Sequence, residues 1–207
     1  PTSGSEAVVD PKTGIASTGT VSVLGLGSRA PGKEMAVGLH PGGMALSPDG
    51  SRLYVANANS DTVSVIDTAR DEVVTTWDVK PLDSLPFGSA PNALAVSPDG
   101  AALYVANGCN NCIAVLNTAS GRVKGLIPTG WYPAGVARTG ADGGLAIVSA
   151  KGVGSRYQRE RPESKAAGIH GYNSHDHMGC VSFVAAPSDA ELEEYTIQAA
   201  TNMRLPT

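Results

Sequence analysis

Along most of the chain apolar residues come in short runs that alternate with polar positions, and turn-forming residues separate the runs. Val63 and Val65 alternate with Thr62, Ser64 and Ile66 at period two, the spacing of a strand buried between two layers. The order recurs: a short apolar segment (MALS, LAVS), the turn Ser-Pro-Asp-Gly, the segment LYVAN, a polar turn, TVSVID or IAVLN, and a last strand such as EVVTTWDV. In that turn Pro48 and Pro98 preset φ, Asp49 and Asp99 bond the following backbone, and Gly50 and Gly100 accept positive φ. Only Pro187 to Met203 changes period. Ser188 and Glu191 there predict a capping box, and Leu192, Tyr195, Ala199 and Met203 share one helical face.

The pattern is a sequence repeat. Residues 41 to 74 match residues 91 to 124 at 15 of 34 positions, including Ser47 to Gly50 and Leu53 to Asn57. GTVSV at 19 to 23 returns as DTVSV at 61 to 65, and Pro91 returns as Pro133, so the underlying period is about 42 residues. Residues 79 to 90 carry the extra length that stretches one interval to 50. Four antiparallel strands in a unit of this length predict an all-β fold of β-propeller blades. The units read as a half blade (19–38), two full blades (40–80 and 90–130) and an expanded third (131–186). Residues 1–18 read as an irregular lead and 187–207 as a connector helix running on toward a following domain. About three and a half blades leave strand edges and blade faces open, so further blades, from the same protein or another chain, are expected to cover them.

The segments SPDGSRLYVANANSDTVSVIDTA and SPDGAALYVANGCNNCIAVLNTA resemble the YVTN-type β-propeller repeats of bacterial surface-layer and exported proteins. The likeness spans roughly residues 19 to 150. LPFGSAPNALAVSPDG, IPTGWYPAGVA, SAKGVGS and VSFVAAPSDAELEEYT resemble one branch in particular, in which the propeller precedes a phosphoesterase domain of the alkaline phosphatase superfamily. That resemblance implies a noncatalytic binding or scaffold module of a larger phosphoesterase-type protein, placed in the periplasm or outside the cell. The alternative is a propeller hydrolase, lactonase-like or phosphoesterase, with a metal-dependent site. The chain departs from the branch at ARTGADGGLAIVSA, where Ser-Pro is lost, at Cys109 and Cys112, and in a His-rich insertion over 151 to 178.

With 25 glycines, 14 prolines and few aromatics, the composition disfavours a helical bundle. A net charge of −4 without a basic stripe argues against nucleic acid as a partner. No apolar run reaches the roughly 18 residues of a membrane span. The chain opens on Pro1 with no signal-peptide pattern, which fits a processed or partial product. Three cysteines are too few for a disulfide scaffold.

Candidate chemistry gathers in the long loop. His170, His175, Asp176 and His177 cluster there and could close around a divalent metal, although no fixed zinc motif is matched. Arg156, Arg159 and Arg161, with Lys165 nearby, could meet an anion or a partner's carboxylates. Cys109 and Cys112 are spaced either for a short disulfide across a turn or as two free thiols. His40, replaced by Ala90 in the next unit, reads as a residue at a strand start. Asp49, Asp99 and Asp142 recur at one place in each unit, as turn residues do, and no catalytic set stands out. The Gly-rich stretches lack a nucleotide-binding arrangement.

Overall fold

The computed structural model describes residues 9–14, 18–27, 31–82, 85, 88–140, 142–153 and 178–205. Strands β1 (Gly19–Leu24) and β2 (Pro31–Val37) form a two-stranded sheet. Next come β3 (Pro41–Leu46), β4 (Arg52–Asn57), β5 (Thr62–Asp67) and β6 (Glu72–Asp78) in one four-stranded sheet. A second holds β7 (Pro91–Val96), β8 (Ala102–Asn107), β9 (Cys112–Asn117) and β10 (Val123–Pro128). Strands β11 (Pro133–Thr139), β12 (Gly144–Ser149) and β13 (Cys180–Val184) make a three-stranded sheet, followed by helix α1 (Asp189–Asn202). Each strand pairs antiparallel with its chain neighbour within its sheet.

The repeat is visible atom by atom in the turns. Gly50 N–H donates to the Ser47 carbonyl at 2.8 Å and Gly100 N–H to the Ser97 carbonyl at 2.9 Å, with φ of 71° and 74° at the two glycines. Thr68 and Thr118 hydroxyls close the same loops on the Gly50 and Gly100 carbonyls, at 2.6 and 2.7 Å. A second recurring device precedes each innermost strand. His40, Ala90 and Tyr132 stand at φ of 54°, 52° and 57°, each just before a proline that starts β3, β7 or β11.

The sheets stack face to face. Val55 and Ile66 of the first full blade pack under Met35 and Val37 of the leading half blade. Tyr54, Val63 and Val65 on its other face meet Leu94, Leu103 and Val105 of the second blade. The second blade in turn presents Tyr104, Ile113 and Val115 to Leu145 and Ile147 of the third. Pairing of Asn57 with Thr62, Asn107 with Cys112 and Ser149 with Cys180 makes Val63, Ile113 and Val181 equivalent, and likewise Val65, Val115 and Phe183. In the first two blades these positions are 0 to 4% exposed, whereas Val181 and Phe183 are 56% and 77% exposed. Met44 and Leu46 are exposed for the same reason, because the β1–β2 pair covers only part of the first blade, while their equivalents Leu94 and Val96 are buried. Val181, Phe183, Met44 and Leu46 are thus left open at the two ends of the stack, whereas Val63, Val65 and Ile113 are covered by neighbouring blades.

Two features at the end of the chain go beyond the sequence pattern. The third blade has three strands among the described residues, and the chain then enters α1 instead of a fourth. That helix lies along β10. Its capping box forms as the sequence predicts, Ser188 accepting from Glu191 N–H while the Glu191 carboxylate accepts from Ser188 N–H at 2.8 Å. Leu192 and Ala199 are buried, which removes the apolar stripe from water. β10 is an edge strand whose pairing with β9 is bulged, and Leu126 N–H donates to Thr196 Oγ1 at 2.9 Å. A Cβ on Gly125 would stand 2.6 Å from Leu192 Cγ, so glycine is what lets the helix approach. The helix thus covers an edge that would otherwise offer unpaired backbone groups.

Candidate functional site between the second and third blades

In each blade the turn after the second strand and the segment leading into the next blade lie at the same end, opposite the Ser-Pro-Asp-Gly turns. Asp61, in the β4–β5 turn at φ 54°, fastens the leading segment of the second blade. Its carboxylate accepts from Gly88, Ser89 and Ala90 N–H at 2.6, 2.7 and 3.1 Å, while the residue is only 1% exposed. Asn111 holds the equivalent place one blade on, accepting from Tyr132 N–H at 2.9 Å, and its carbonyl accepts from Thr129 N–H at 3.0 Å. Trp131 is fixed beside it, donating to the Gly152 carbonyl at 2.6 Å and accepting from Lys151 N–H at 3.0 Å.

A cavity of about 630 Å³ opens at this end between the second and third blades. Cys109, Asn110 and Asn111 come from a single 3-10 turn, Gly108–Asn110, and the residue after it; Trp131 comes from the β10–β11 connection, Cys180 from β13, and Asn202 from the end of α1. Trp131 is 48% exposed. Asn110 Oδ1 is buried and has no hydrogen-bond partner among the described protein atoms. The Thr129 hydroxyl is engaged with the Gly130 carbonyl at 2.7 Å.

Of the two alternatives for Cys109 and Cys112, a disulfide or free thiols, the structure shows free thiols. Placement is the reason: Cys112 starts β9 with its side chain in the core between the first two blades, whereas Cys109 is exposed on the 3-10 turn. Burial pushes the Cys112 thiol up to about 12. Cys180, the register equivalent of Cys112, lines the cavity together with Cys109. The structure thus brings Cys109 and Cys180 to one cavity, a placement the Cys109–Cys112 spacing does not suggest.

His170, His175, Asp176 and His177, as well as Arg156, Arg159 and Arg161, lie outside the described residues. The strands that flank their loop, β12 and β13, end and begin beside the cavity, through Val153 and Cys180. Among the described residues no group of three or more His, Cys, Asp or Glu side chains is placed to hold a metal ion. His40 sits just before β3, at the strand start expected of it.

The repeated acids are engaged at the opposite blade end. The Ser47 hydroxyl, then that of Ser51, and the Ser51 N–H bond the Asp49 carboxylate and hold it down at about 2. The Ser97 hydroxyl and Ala101 N–H lower Asp99 in the same way. A second cavity, about 410 Å³, lies by these turns, and Lys124 on its wall is tied to Asp189 at 2.6 Å.

Face-to-face stacking of four-stranded antiparallel sheets, each strand beside its chain neighbour, defines a run of β-propeller blades. No family model matches the chain, and no curated protein matches it. Among solved structures it is similar to hydrazine synthase from Kuenenia stuttgartiensis, with 31% identity and a TM-score of 0.55 over 65% of this chain and 39% of that one. It also matches the β-propeller domain of Cps50 (Swd1) from Myceliophteria thermophila at 13% identity and a TM-score of 0.44, over 55% of this chain and 32% of that one. The chain therefore spans about two fifths of the hydrazine synthase chain it matches. No helix among the described residues is long and apolar enough to cross a membrane.

Proposed function

We propose that this chain is a noncatalytic binding or scaffold module, acting through the blade end at which the 630 Å³ cavity opens. The observation that carries this reading is the convergence there of the β8–β9 turn, the β10–β11 connection and both ends of the β12–β13 insertion, all on rigid strands. Loops held by a stiff scaffold are where binding residues concentrate. The resemblance of residues 85–100, 127–137, 149–155 and 181–196 to the phosphoesterase-associated branch supports membership of a larger exported protein, with residues 187–207 linking to its next domain. Further blades are part of the same proposal, supported by Val181 and Phe183, which lie open where Val63 and Val65 are covered.

Turnover assays with the purified chain test the noncatalytic reading against the hydrolase. Nitrophenyl phosphate mono- and diesters and simple lactones, with and without added Zn²⁺ or Ca²⁺, should show no hydrolysis above buffer. Metal-dependent turnover lost in His175→Ala with His177→Ala would establish the hydrolase instead.

A further inference from the structure

Each blade covers the next by the same rule. The inner strands β3 and β4 lie against β7, and β7 and β8 lie against β11, so the first strand of a blade rests on the inner pair of the blade before it. Leu94 and Val96 of β7 are buried in this way, in one cluster with Tyr54 and Ala56 of β4. Met44 and Leu46 hold the same places in β3 and are 58% and 57% exposed. The reason is which strands the leading half blade holds. GTVSV of β1 is the counterpart of DTVSV at 61–65, and Val21 pairs with Met35 as Val63 pairs with Trp77. β1 and β2 are thus the outer pair of a blade, equivalent to β5 and β6, and in sheet order β1 has one neighbour among the described strands, β2.

The chain just ahead of β1 does not supply the inner pair. One period earlier than β4 falls at residues 10–15, yet residues 10–14 turn back on themselves. Gly14 N–H donates to the Asp10 carbonyl at 2.9 Å and Lys12 N–H to the Asp10 carboxylate at 2.7 Å.

One occupant answers both the strand order and the uncovered side chains. We infer that a β-hairpin from another part of the parent protein, with the inner-strand pattern of residues 40–57 (HPGGMALSPDGSRLYVAN), adds to β1 and completes this blade. Its second strand pairs with β1 in the register of β4 on β5, which sets the counterpart of Ala56 opposite Val21 and that of Tyr54 opposite Val23. Those two side chains then cover Met44 and Leu46, as Tyr54 and Ala56 share a core with Leu94 and Val96. The innermost strands run close: a Cβ on Gly43 would stand 2.6 Å from the Asn92 carbonyl oxygen, so the hairpin needs a small residue at that place. Strand addition of this kind draws affinity from main-chain bonds and specificity from alternate side chains. The inference rests on the further-blade reading and names the partner of one open face.

The full 207-residue chain, titrated into a fluorescein-labelled peptide of residues 40–57, tests it. Anisotropy should rise to saturation, and the peptide should raise the melting temperature of the chain. Met44→Ser with Leu46→Ser in the chain should weaken binding about tenfold or more. In the peptide, Gly43→Leu and the ladder-breaking Val55→Pro should each abolish it. Val181→Ser with Phe183→Ser in the chain should leave it unchanged, because those residues lie at the other end of the stack. Circular dichroism shows that each chain variant is folded. The inference is overturned if the peptide does not bind at millimolar concentration, if the folded Met44→Ser with Leu46→Ser variant binds as the native chain does, if both altered peptides bind as well as the original, or if the Val181→Ser with Phe183→Ser variant is the one that loses binding. Self-association that depends on Val181 and Phe183, with no turnover in the hydrolase assays, would then leave the module reading standing and remove only the hairpin.

Discussion

Asp61 Oδ1 accepts the Ser89 N–H at 2.7 Å, joining a turn of the first full blade to the segment that leads into the second. Gly88 and Ala90 N–H complete the cradle, and no cation pairs with this buried carboxylate among the described residues. One blade on, Asn111 performs the same task with a single amide oxygen.

Asp61→Ala should therefore strand one buried donor, Ser89 N–H, and two partly buried ones, Gly88 and Ala90 N–H, and lower stability by about 2–4 kcal/mol, because each unmade bond costs roughly 1–3 kcal/mol when buried and the loop relaxes in part. Asp61→Asn should lose clearly less, since the residue that serves the next blade is already an asparagine. Chemical denaturation of the two variants checks the order; equal losses would show that the cradle contributes nothing specific.

The thiols should differ in reactivity. Cys109 is exposed and should react promptly with a thiol reagent at neutral pH, whereas Cys112 is buried, its proton held to about pH 12 by desolvation, and should react only on unfolding. The folded state keeps that proton where an unfolded thiol, near pH 8.5, gives it up. The contribution of Cys112 is then complete below about pH 8.5 and falls as pH rises through 8.5 toward 12. Timed labelling with peptide mapping reads the order of modification.

The Ser-Pro-Asp-Gly turns predict an acid dependence. Asp49 is held near 2 against an ordinary value of 3.8, so its contribution is present above about pH 4 and is lost as pH falls through 2. The melting-temperature gap between the native chain and Asp49→Ala should shrink over that interval. Ser47→Ala should raise the Asp49 titration point toward the ordinary value, as carboxylate NMR would read directly, because the Ser47 hydroxyl is the largest stabiliser of the anion.

If the insertion binds a divalent metal, as its sequence suggests, the native chain should carry zinc or another divalent ion that His175→Ala with His177→Ala does not. Elemental analysis of both preparations decides it, and equal metal content would remove the site.

The blades were legible because their turn chemistry repeats: Ser47 to Gly50 and Ser97 to Gly100 state the same turn twice, and Thr62 to Ile66 states the strand period. The helix was legible from Ser188 and Glu191, but its docking was not, since that depends on a bulge in β10 and on Gly125, 67 residues before Leu192. The role of Asp61 was not legible, because its partners lie 27 to 29 residues on. Its signal was positional, an Asp and an Asn at equivalent places ahead of β5 and β9. The long insertion hid the equivalence of Cys180 with Cys112, which only strand register reveals. The cavity had no sequence signature, because its walls come from two blades and the end of the helix.

The central claim is that these blades belong to a larger propeller surface, and the face bearing Val181 and Phe183 tests it most directly. A few hundred Å² of apolar surface left in water forgoes several kcal/mol at about 25 cal/mol per Å², a large share of a domain's stability of roughly 5–15 kcal/mol. Light scattering of the 207-residue chain over a range of concentrations should show self-association, and Val181→Ser with Phe183→Ser should reduce it while leaving the strand signal in circular dichroism unchanged. A monodisperse monomer at every concentration, unfolding in one cooperative step, would contradict the account.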